Sequence, residues 1–472
     1  MNKLLWHCRF LSRHAALALL TASRAANAAT PSVPPSDDAS EPAAAATPGA
    51  FQAQPTPRQP LTATTPPAPS GRVLSLEQAV QTALANQPRR RQAAASSRAA
   101  DARAEQASAI LWPQVSGRAS YQRSLSQGQT GFGSASSGNA FNFQIGVSQI
   151  VFDWGQSRGR YRASRAGADV QRQNAEATKL DVTLAVKNSY FQARAQKALV
   201  HVARDTLDNQ ARHLAQVEGF VEVGTRPRID VVQARADRAS AELNLVNAEN
   251  NYAIAKAELV QAMGSELSAD FEVSEDTLPP LVGEESAGAL LLSEALANRP
   301  DVRAALGTVR AQELSARAAA GAHGPTLSVS TTFGESGSQL DDLRWGWSGG
   351  VVLDWPIFQG GAIEARVAEA RANVDLASSQ VTALSQQVRL EVERARLGVV
   401  GAKKALTTSD QLVENSRERL GLAEGRYQTG TGSLIELADA QLALTAALAQ
   451  RVQAEYRLST ARAALATALA RP

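Results

Sequence analysis

The sequence predicts a mostly α-helical protein that also carries β-strands of membrane type, built as an internal duplication. Three observations predict this class. The folded part contains its own sequence twice, in the same order. Two segments of about ten residues alternate apolar and polar side chains, and two further segments do so less cleanly. Two long stretches, 114–226 and 357–471, contain no proline and therefore permit helices of unusual length.

The first 70 residues predict an exported chain with a disordered start. A basic beginning, a short apolar run at 15–21 and a small-residue site at 26–28 indicate a signal peptide over residues 1–28, with a buried amphipathic helix as the alternative. Eleven of the twenty prolines fall between 31 and 70. Such a composition cannot bury enough apolar surface to fold, so we expect disorder over 29–70.

The duplication defines the domain organisation. The motif ALANQP at 83–88 recurs as ALANRP at 295–300, and Gly224-Thr225 recurs as Gly430-Thr431. Each unit is expected to contain a helix, two strands, a long helix, a turn and a returning helix. The pattern predicts three segments after residue 70: a first repeat at 71–264, a linker at 265–290 and a second repeat at 291–472.

The predicted strands have one apolar and one polar face, and the polar face carries few charges. They are expected at about 114–125, 140–152, 326–336 and 345–355. Alternation alone fits an ordinary half-exposed soluble sheet equally well. The placement of tryptophan favours a membrane sheet with an interfacial aromatic belt, because every tryptophan after the signal lies at or beside a strand. These residues are Trp112, Trp154, Trp345, Trp347 and Trp355.

Four strands cannot close a barrel, and open sheet edges are not tolerated in lipid. The chain is therefore expected to form oligomers, with eight shared strands in a dimer or twelve in a trimer. The remaining sequence predicts long helices at 156–220, 227–264, 362–426 and 433–470. Apolar residues at seven-residue spacing, such as Leu184, Phe191 and Ala198, indicate coiled-coil pairing.

No catalytic, cofactor or metal motif stands out in the sequence, so no enzyme activity is predicted. The numbers of basic and acidic residues, 48 and 45, are nearly equal, which argues against a nucleic-acid partner. His201 and His213 are interpreted as solvated or packed side chains. The informative polar pair is Glu436 and Asp439, which share one helix face. An ordinary solvated face is one explanation, and a ring of six carboxylates around the pore of a trimer is the other.

The repeated ALANxP helix, the paired strands and the GT turn followed by an acidic pair resemble the TolC family of outer-membrane efflux and secretion proteins. The resemblance covers about residues 72–470. It implies a homotrimer whose protomers share a twelve-stranded barrel in outer-membrane lipid, continuous with a helical tunnel in the periplasm. It also implies two protein partners, an inner-membrane transporter, of ABC type, and a periplasmic membrane-fusion adaptor.

The resemblance places the family's gate residues on this chain. Glu436 and Asp439 fall on the two acidic pore-ring positions, and Tyr427 falls on the tyrosine that ties the inner coil shut. Where the family has an arginine after the turn, this chain has Gly432. Arg226 and Asp230 lie at the first turn. Either Arg226 replaces the missing arginine, or the tip is looser.

Within the family, the sequence is most similar to members that export cyclolysin-like toxins by type I secretion. The first functional expectation is therefore an outer-membrane duct for a large exported polypeptide. The exit duct of a drug or metal efflux pump is the alternative, and an exported soluble coiled-coil scaffold is a third hypothesis.

Overall fold

The computed structural model describes residues 73–126, 136–266 and 270–471. The signal peptide predicted at 1–28 and the disordered segment predicted at 29–70 lie outside the described residues. The elements of the first half are β1 (Val73–Leu74), α1 (Leu76–Asn86), α2 (Pro88–Ala109), β2 (Gln114–Ser126), β3 (Ser136–Phe152), α3 (Gln156–Glu222) and α4 (Arg228–Met263). Those of the second half are β4 (Glu272–Val273), α5 (Gly288–Asn298), α6 (Pro300–Ala320), β5 (Thr326–Gly337), β6 (Arg344–Asp354), α7 (Ala362–Gln428) and α8 (Leu434–Ala468).

Two helical hairpins make up most of the molecule. Helices α3 and α7 have 67 residues each, which corresponds to about 100 Å at ~1.5 Å per residue. Helix α4 returns along α3, and α8 returns along α7. The helix boundaries lie within two residues of those expected from the sequence. None of the described helices combines enough length with enough apolar character to cross a lipid bilayer.

Each repeat opens with two helices, where the sequence analysis expected one. Gln87 and Arg299 have extended backbones and stand directly before Pro88 and Pro300, which begin the second helix of each pair. A proline restricts the preceding residue to extended conformations and cannot donate a backbone hydrogen bond. The repeated ALANxP motif therefore breaks the helix at the same point in both halves.

The four long strands form one antiparallel sheet in the order β2-β3-β5-β6. Val115 pairs with Val147, and Phe333 pairs with Trp347. Strands β2 and β6 are the two edges and have no further partner within the part of the chain that the structure describes. The single chain thus leaves two long edges unpaired, and it also leaves large apolar side chains exposed on the sheet, among them Val115, Ile145 and Val351.

The duplication extends to the hydrophobic core. In the first half, Val182, Val186 and Leu259 are buried in one cluster. In the second half, Val388, Val392 and Leu465 are buried in another. Each residue of the second set lies 206 positions after its counterpart. The same helix faces are therefore buried in both repeats, as expected if the sequence repeat encodes a structural repeat.

The segment expected to be a linker, 265–290, contributes to the folded structure. Its strand β4 pairs in parallel with β1. Tyr190 lies beneath this pair, and its hydroxyl is 2.7 Å from Ser274 Oγ. Glu284 is buried and forms ion pairs with Arg462 at 3.1 Å and Lys403 at 2.6 Å. Two-residue strands have no periodicity for sequence analysis to detect, so the pairing was not predicted.

Candidate gate at the two helix turns

The turns that join α3 to α4 and α7 to α8 have the same backbone structure. Gly224 and Gly430 both adopt a left-handed conformation, with φ of 76° and 77°. The amide of Thr225 donates to the carbonyl of Phe220, and the amide of Thr431 donates to the carbonyl of Arg426. This pattern ends a helix and satisfies its last carbonyl groups. The repeated Gly-Thr pair therefore encodes the same turn twice.

Tyr427 is the most deeply buried aromatic residue at these turns, with 1% of its surface exposed. Its ring meets His213 edge-on, at 5.6 Å between centroids, and Phe220 at 6.3 Å. Its hydroxyl has no hydrogen-bond partner in the described structure, and burial raises the pKa of this group. The ring of Tyr427, rather than its hydroxyl, therefore joins α7 to the first hairpin.

Arg226 binds Tyr427 from the first turn. Its guanidinium carbon lies 4.5 Å from the centre of the tyrosine ring, and its Nη2 donates to the carbonyl oxygen of Tyr427 at 3.2 Å. A cation over an aromatic face is attracted by the ring electrons. Asp230, on the first turn of α4, is near enough to raise the pKa of Tyr427. The structure thus brings Arg226, Asp230 and Tyr427 together.

Gly432, which stands where the resemblance places an arginine, is buried against the end of α7. A Cβ atom at this position would lie 3.0 Å from the backbone nitrogen of Tyr427 and from two atoms of Arg426. The amide of Gly432 donates to the carbonyl of Arg426 at 2.8 Å. A side chain at 432 would therefore require the neighbouring end of α7 to shift by a few tenths of an ångström.

Glu436 and Asp439 lie at the start of α8 and differ in their contacts. Ser433 caps this helix, because its Oγ accepts a hydrogen bond from the amide of Glu436 at 3.1 Å. Glu436 forms an ion pair with Arg426 Nη1 at 3.2 Å. Asp439 is exposed and has no ion-pair partner among the described residues. The two carboxylates share a helix face. Arg426 balances the charge of Glu436, while the charge of Asp439 is not balanced by an ion pair in the described residues.

His213 and Arg426 were not recognised as members of this site from the sequence. His213 is buried against Tyr427, and Arg426 pairs with Glu436. The sequence pattern that could have pointed to His213 is its spacing to Val217 and Phe220, which places all three residues on one helix face. That spacing indicates which side chains face inward, but not which residues of the other hairpin they meet.

The five tryptophans lie at the two ends of the sheet. Trp112, Trp154 and Trp355 lie at the end that joins the helices, and Trp345 and Trp347 lie at the opposite end of β6. All five are 58–71% exposed in the single chain. Trp345 and Trp355 are about 33 Å apart along the strand direction at ~3.3 Å per residue. Because the strands of outer-membrane barrels tilt by about 35–45°, this corresponds to roughly 25 Å along the membrane normal, which is close to the ~25 Å apolar band of such barrels.

Comparison with known proteins identifies the family. A family model described as "Outer membrane efflux protein" matches residues 79–265 and 291–471. The chain belongs to this family. The two matched segments coincide closely with the two structural repeats. Membership places the protein in the bacterial outer membrane, with its helical part in the periplasm.

Relatives and solved structures agree with this assignment. The pyoverdine export outer membrane protein OpmQ of Pseudomonas putida is 28% identical over 406 residues, which cover 83% of this chain and 84% of that protein. The solvent efflux pump outer membrane protein SrpC of Pseudomonas putida is 29% identical over 264 residues, and these cover 54% of this chain and 55% of that protein. The chain thus aligns with only about half the length of SrpC.

The fold is that of known outer-membrane channels. The Campylobacter jejuni CmeC outer membrane channel matches with a TM-score of 0.75 at 21% identity, covering 84% of this chain and 85% of that one. The outer membrane protein VceC of Vibrio cholerae matches with a TM-score of 0.74 at 21% identity, covering 84% and 95%. The described chain therefore has the fold of one protomer of a TolC-like channel.

Proposed function

We propose that three copies of this chain form a duct through the outer membrane, with a shared barrel of twelve strands continuous with a helical tunnel. The open-edged sheet is the observation that carries this proposal. Both edge strands are unpaired within the chain, and apolar side chains are exposed on the sheet. In lipid, every strand edge must be paired. Pairing β6 of one copy with β2 of the next satisfies both edges without any other protein.

Two rows of tryptophan support insertion of this sheet in a membrane. In the proposed barrel, Trp112, Trp154 and Trp355 lie at the periplasmic interface, and Trp345 and Trp347 lie at the outer interface. Their spacing fits the apolar thickness of the membrane. The helices α3 and α7, each about 100 Å long, then extend the lumen into the periplasm. Their turns lie at the far end, where an inner-membrane transporter and a periplasmic adaptor dock.

The duct is passive in this proposal, and the transporter supplies the energy. Gating is a change in the packing of the two helical hairpins around Tyr427 and Arg226. In a trimer, Glu436 and Asp439 of the three copies form the acidic ring at the narrow end. Such a ring favours cations over anions.

We propose small molecules as the exported class. The names of the relatives support this choice, since SrpC belongs to a solvent efflux pump and OpmQ exports pyoverdine. The large cyclolysin-like polypeptide and the ABC-type transporter that the sequence analysis expected remain predictions. The duct itself has no feature that selects between these substrates, because the transporter determines what enters.

A deletion strain tests the proposal. We expect the strain to retain a fluorescent efflux dye, to show an unchanged protein profile in its culture supernatant, and to recover efflux when the gene is restored on a plasmid. Loss of one large secreted polypeptide with dye efflux intact would show that the exported substrate is a protein and not a small molecule. No change in either readout would contradict the function as an exit duct.

A further inference from the structure

A polar cavity of about 290 Å³ lies next to the candidate gate, between α3 and the second hairpin. Its lining includes Arg212 and His213 of α3, Glu424 and Tyr427 of α7, and Leu437 and Gln441 of α8. The cavity therefore lies at the contact between the two hairpins. Any change that opens this contact also separates the helices that bear the turns.

His213 is the titratable group at the centre of this contact. Only 7% of its surface is exposed, and its imidazole packs edge-on against Tyr427. Tyr427, whose buried hydroxyl has no hydrogen-bond partner in the described structure, lines the same cavity. A buried imidazole is the one side chain here whose charge changes near neutral pH.

The surroundings of His213 include both charge signs. The charged or titratable groups around it are Asp230 and Asp237 on α4, which act on its charge, and Arg212, Glu424 and Tyr427, which line the cavity with it. Arg226, in the first turn, lies over the ring of Tyr427. Helix α8 contributes only neutral groups to the cavity. Burial lowers the pKa of His213 below its ordinary value of 6.5, and the attraction of Asp237 and Asp230 opposes this effect only in part. The packed state therefore favours the neutral imidazole.

We propose that His213 makes the packing of the two hairpins sensitive to pH, so that acidification loosens the tip of the helical tunnel. When the hairpins separate, His213 enters water and regains an ordinary affinity for protons. The stability that the neutral ring gives to the packed state is present above pH 6.5. It is lost as the pH falls from there through the lower pKa of the buried group.

The first test measures the separation of the hairpins directly. Spin labels are placed at Ala215→Cys on α3 and Gly421→Cys on α7, both of which are exposed, in a Cys8→Ser background. Labelled chains are diluted with unlabelled chains, and the label-to-label distance is measured by pulsed electron resonance at pH 7.5 and pH 5.5. We expect the distance distribution to lengthen and broaden at pH 5.5.

Two histidine variants make the test specific. His213→Gln removes the titration, so its distance distribution should be the same at both pH values. His201→Gln changes an exposed histidine of the same helix and should behave like the parent. A pH-independent distance in the parent would overturn the proposal, and so would a pH response that persists in His213→Gln.

A second readout separates this inference from the proposed function. Only the effect of the pH switch on transport rests on the proposed function, and the change in distance does not. In planar bilayers we expect the open probability to rise between pH 7.5 and pH 5.5, by up to about tenfold for each unit by which packing lowers the pKa. A pH-dependent distance without conductance at either pH would contradict the proposed duct but support the pH sensitivity of the hairpin packing. Conductance with a pH-independent distance would retain the duct and contradict the switch.

Discussion

At the residue scale, the proposed gate consists of contacts between side chains that are far apart in the sequence. Arg226 and Tyr427 are about two hundred positions apart, yet the guanidinium lies on the tyrosine ring. The resemblance to the TolC family pointed to Tyr427, and Arg226 was the candidate to replace the family's missing arginine. The structure brings these two side chains together. The contact of His213 with Tyr427 and the pairing of Arg426 with Glu436 could not be predicted, because a helical period shows which face is buried but not what covers it.

Arg226→Ala should weaken the contact between the hairpins. The change removes a cation over the ring of Tyr427 and a hydrogen bond to its carbonyl, together worth about 1–2 kcal/mol. We expect the open probability in planar bilayers to rise roughly tenfold. Arg228→Ala is the matched control, since Arg228 is an exposed arginine two positions further along. An equal effect of both variants would show that Arg226 acts through net charge and not through this contact.

Substitutions of the acidic pair and of its partner Arg426 should change the ion selectivity of the channel in opposite directions. Removing Glu436 and Asp439 together by Ala substitution should lower the preference of the channel for cations and weaken block by multivalent cations. Arg426→Ala should raise cation preference instead, because it frees the charge of Glu436 from its ion pair. The measurement is the reversal potential across a salt gradient.

The control for the acidic pair is Glu176→Ala, which removes a carboxylate far from the turns on α3. Its reversal potential should equal that of the parent. If the double variant left the reversal potential unchanged, Glu436 and Asp439 would not belong to a pore ring.

At the element scale, the sequence predicts the helical hairpins well. The repeated Gly-Thr pair marks both turns, and the absence of proline permits α3 and α7 to run for 67 residues each. Sequence analysis missed the short pair of β1 and β4, which depends on Tyr190 and other residues distant in the sequence. Local patterns therefore predict the long elements, while tertiary contacts determine the short ones.

Gly430→Ala should destabilise the protein, and Gly224→Ala should do so by a similar amount. Both glycines have left-handed backbones, and a Cβ at either position would meet no other atom. The cost is therefore conformational, about 1–2 kcal/mol. Gly401→Ala, in the interior of α7, also meets no atom but should stabilise the helix by up to about 1 kcal/mol.

Thermal unfolding in detergent measures these effects. The melting temperature should fall for both turn variants and should not fall for Gly401→Ala. If Gly430→Ala unfolded at the parent temperature, the left-handed turn would not be a requirement of the fold.

At the scale of the whole molecule, the sequence predicts how many strands each copy contributes and where they lie. The four strands begin and end within about four residues of the expected positions, because alternation and tryptophan placement mark them. The pairing of edges between copies is not encoded by any local pattern. It follows from the observation that a single chain leaves β2 and β6 unpaired in a sheet assigned to the membrane.

Disulfide cross-linking between the two edge strands tests the shared barrel most directly. In a Cys8→Ser background, Ala119→Cys on β2 is combined with single cysteines scanned along β6 from 346 to 352. Within one chain, these strands are three spacings apart, about 14 Å, which exceeds the ~7 Å limit of a disulfide. Only a neighbouring copy can supply the partner.

The readout is the mass of the oxidised product on a denaturing gel without reductant. The shared barrel predicts that at least one pair of cysteines gives a covalent trimer, while each single-cysteine control gives at most a dimer. If every pair in the scan ran as a monomer, β2 and β6 would not meet between copies, and the shared barrel would be contradicted.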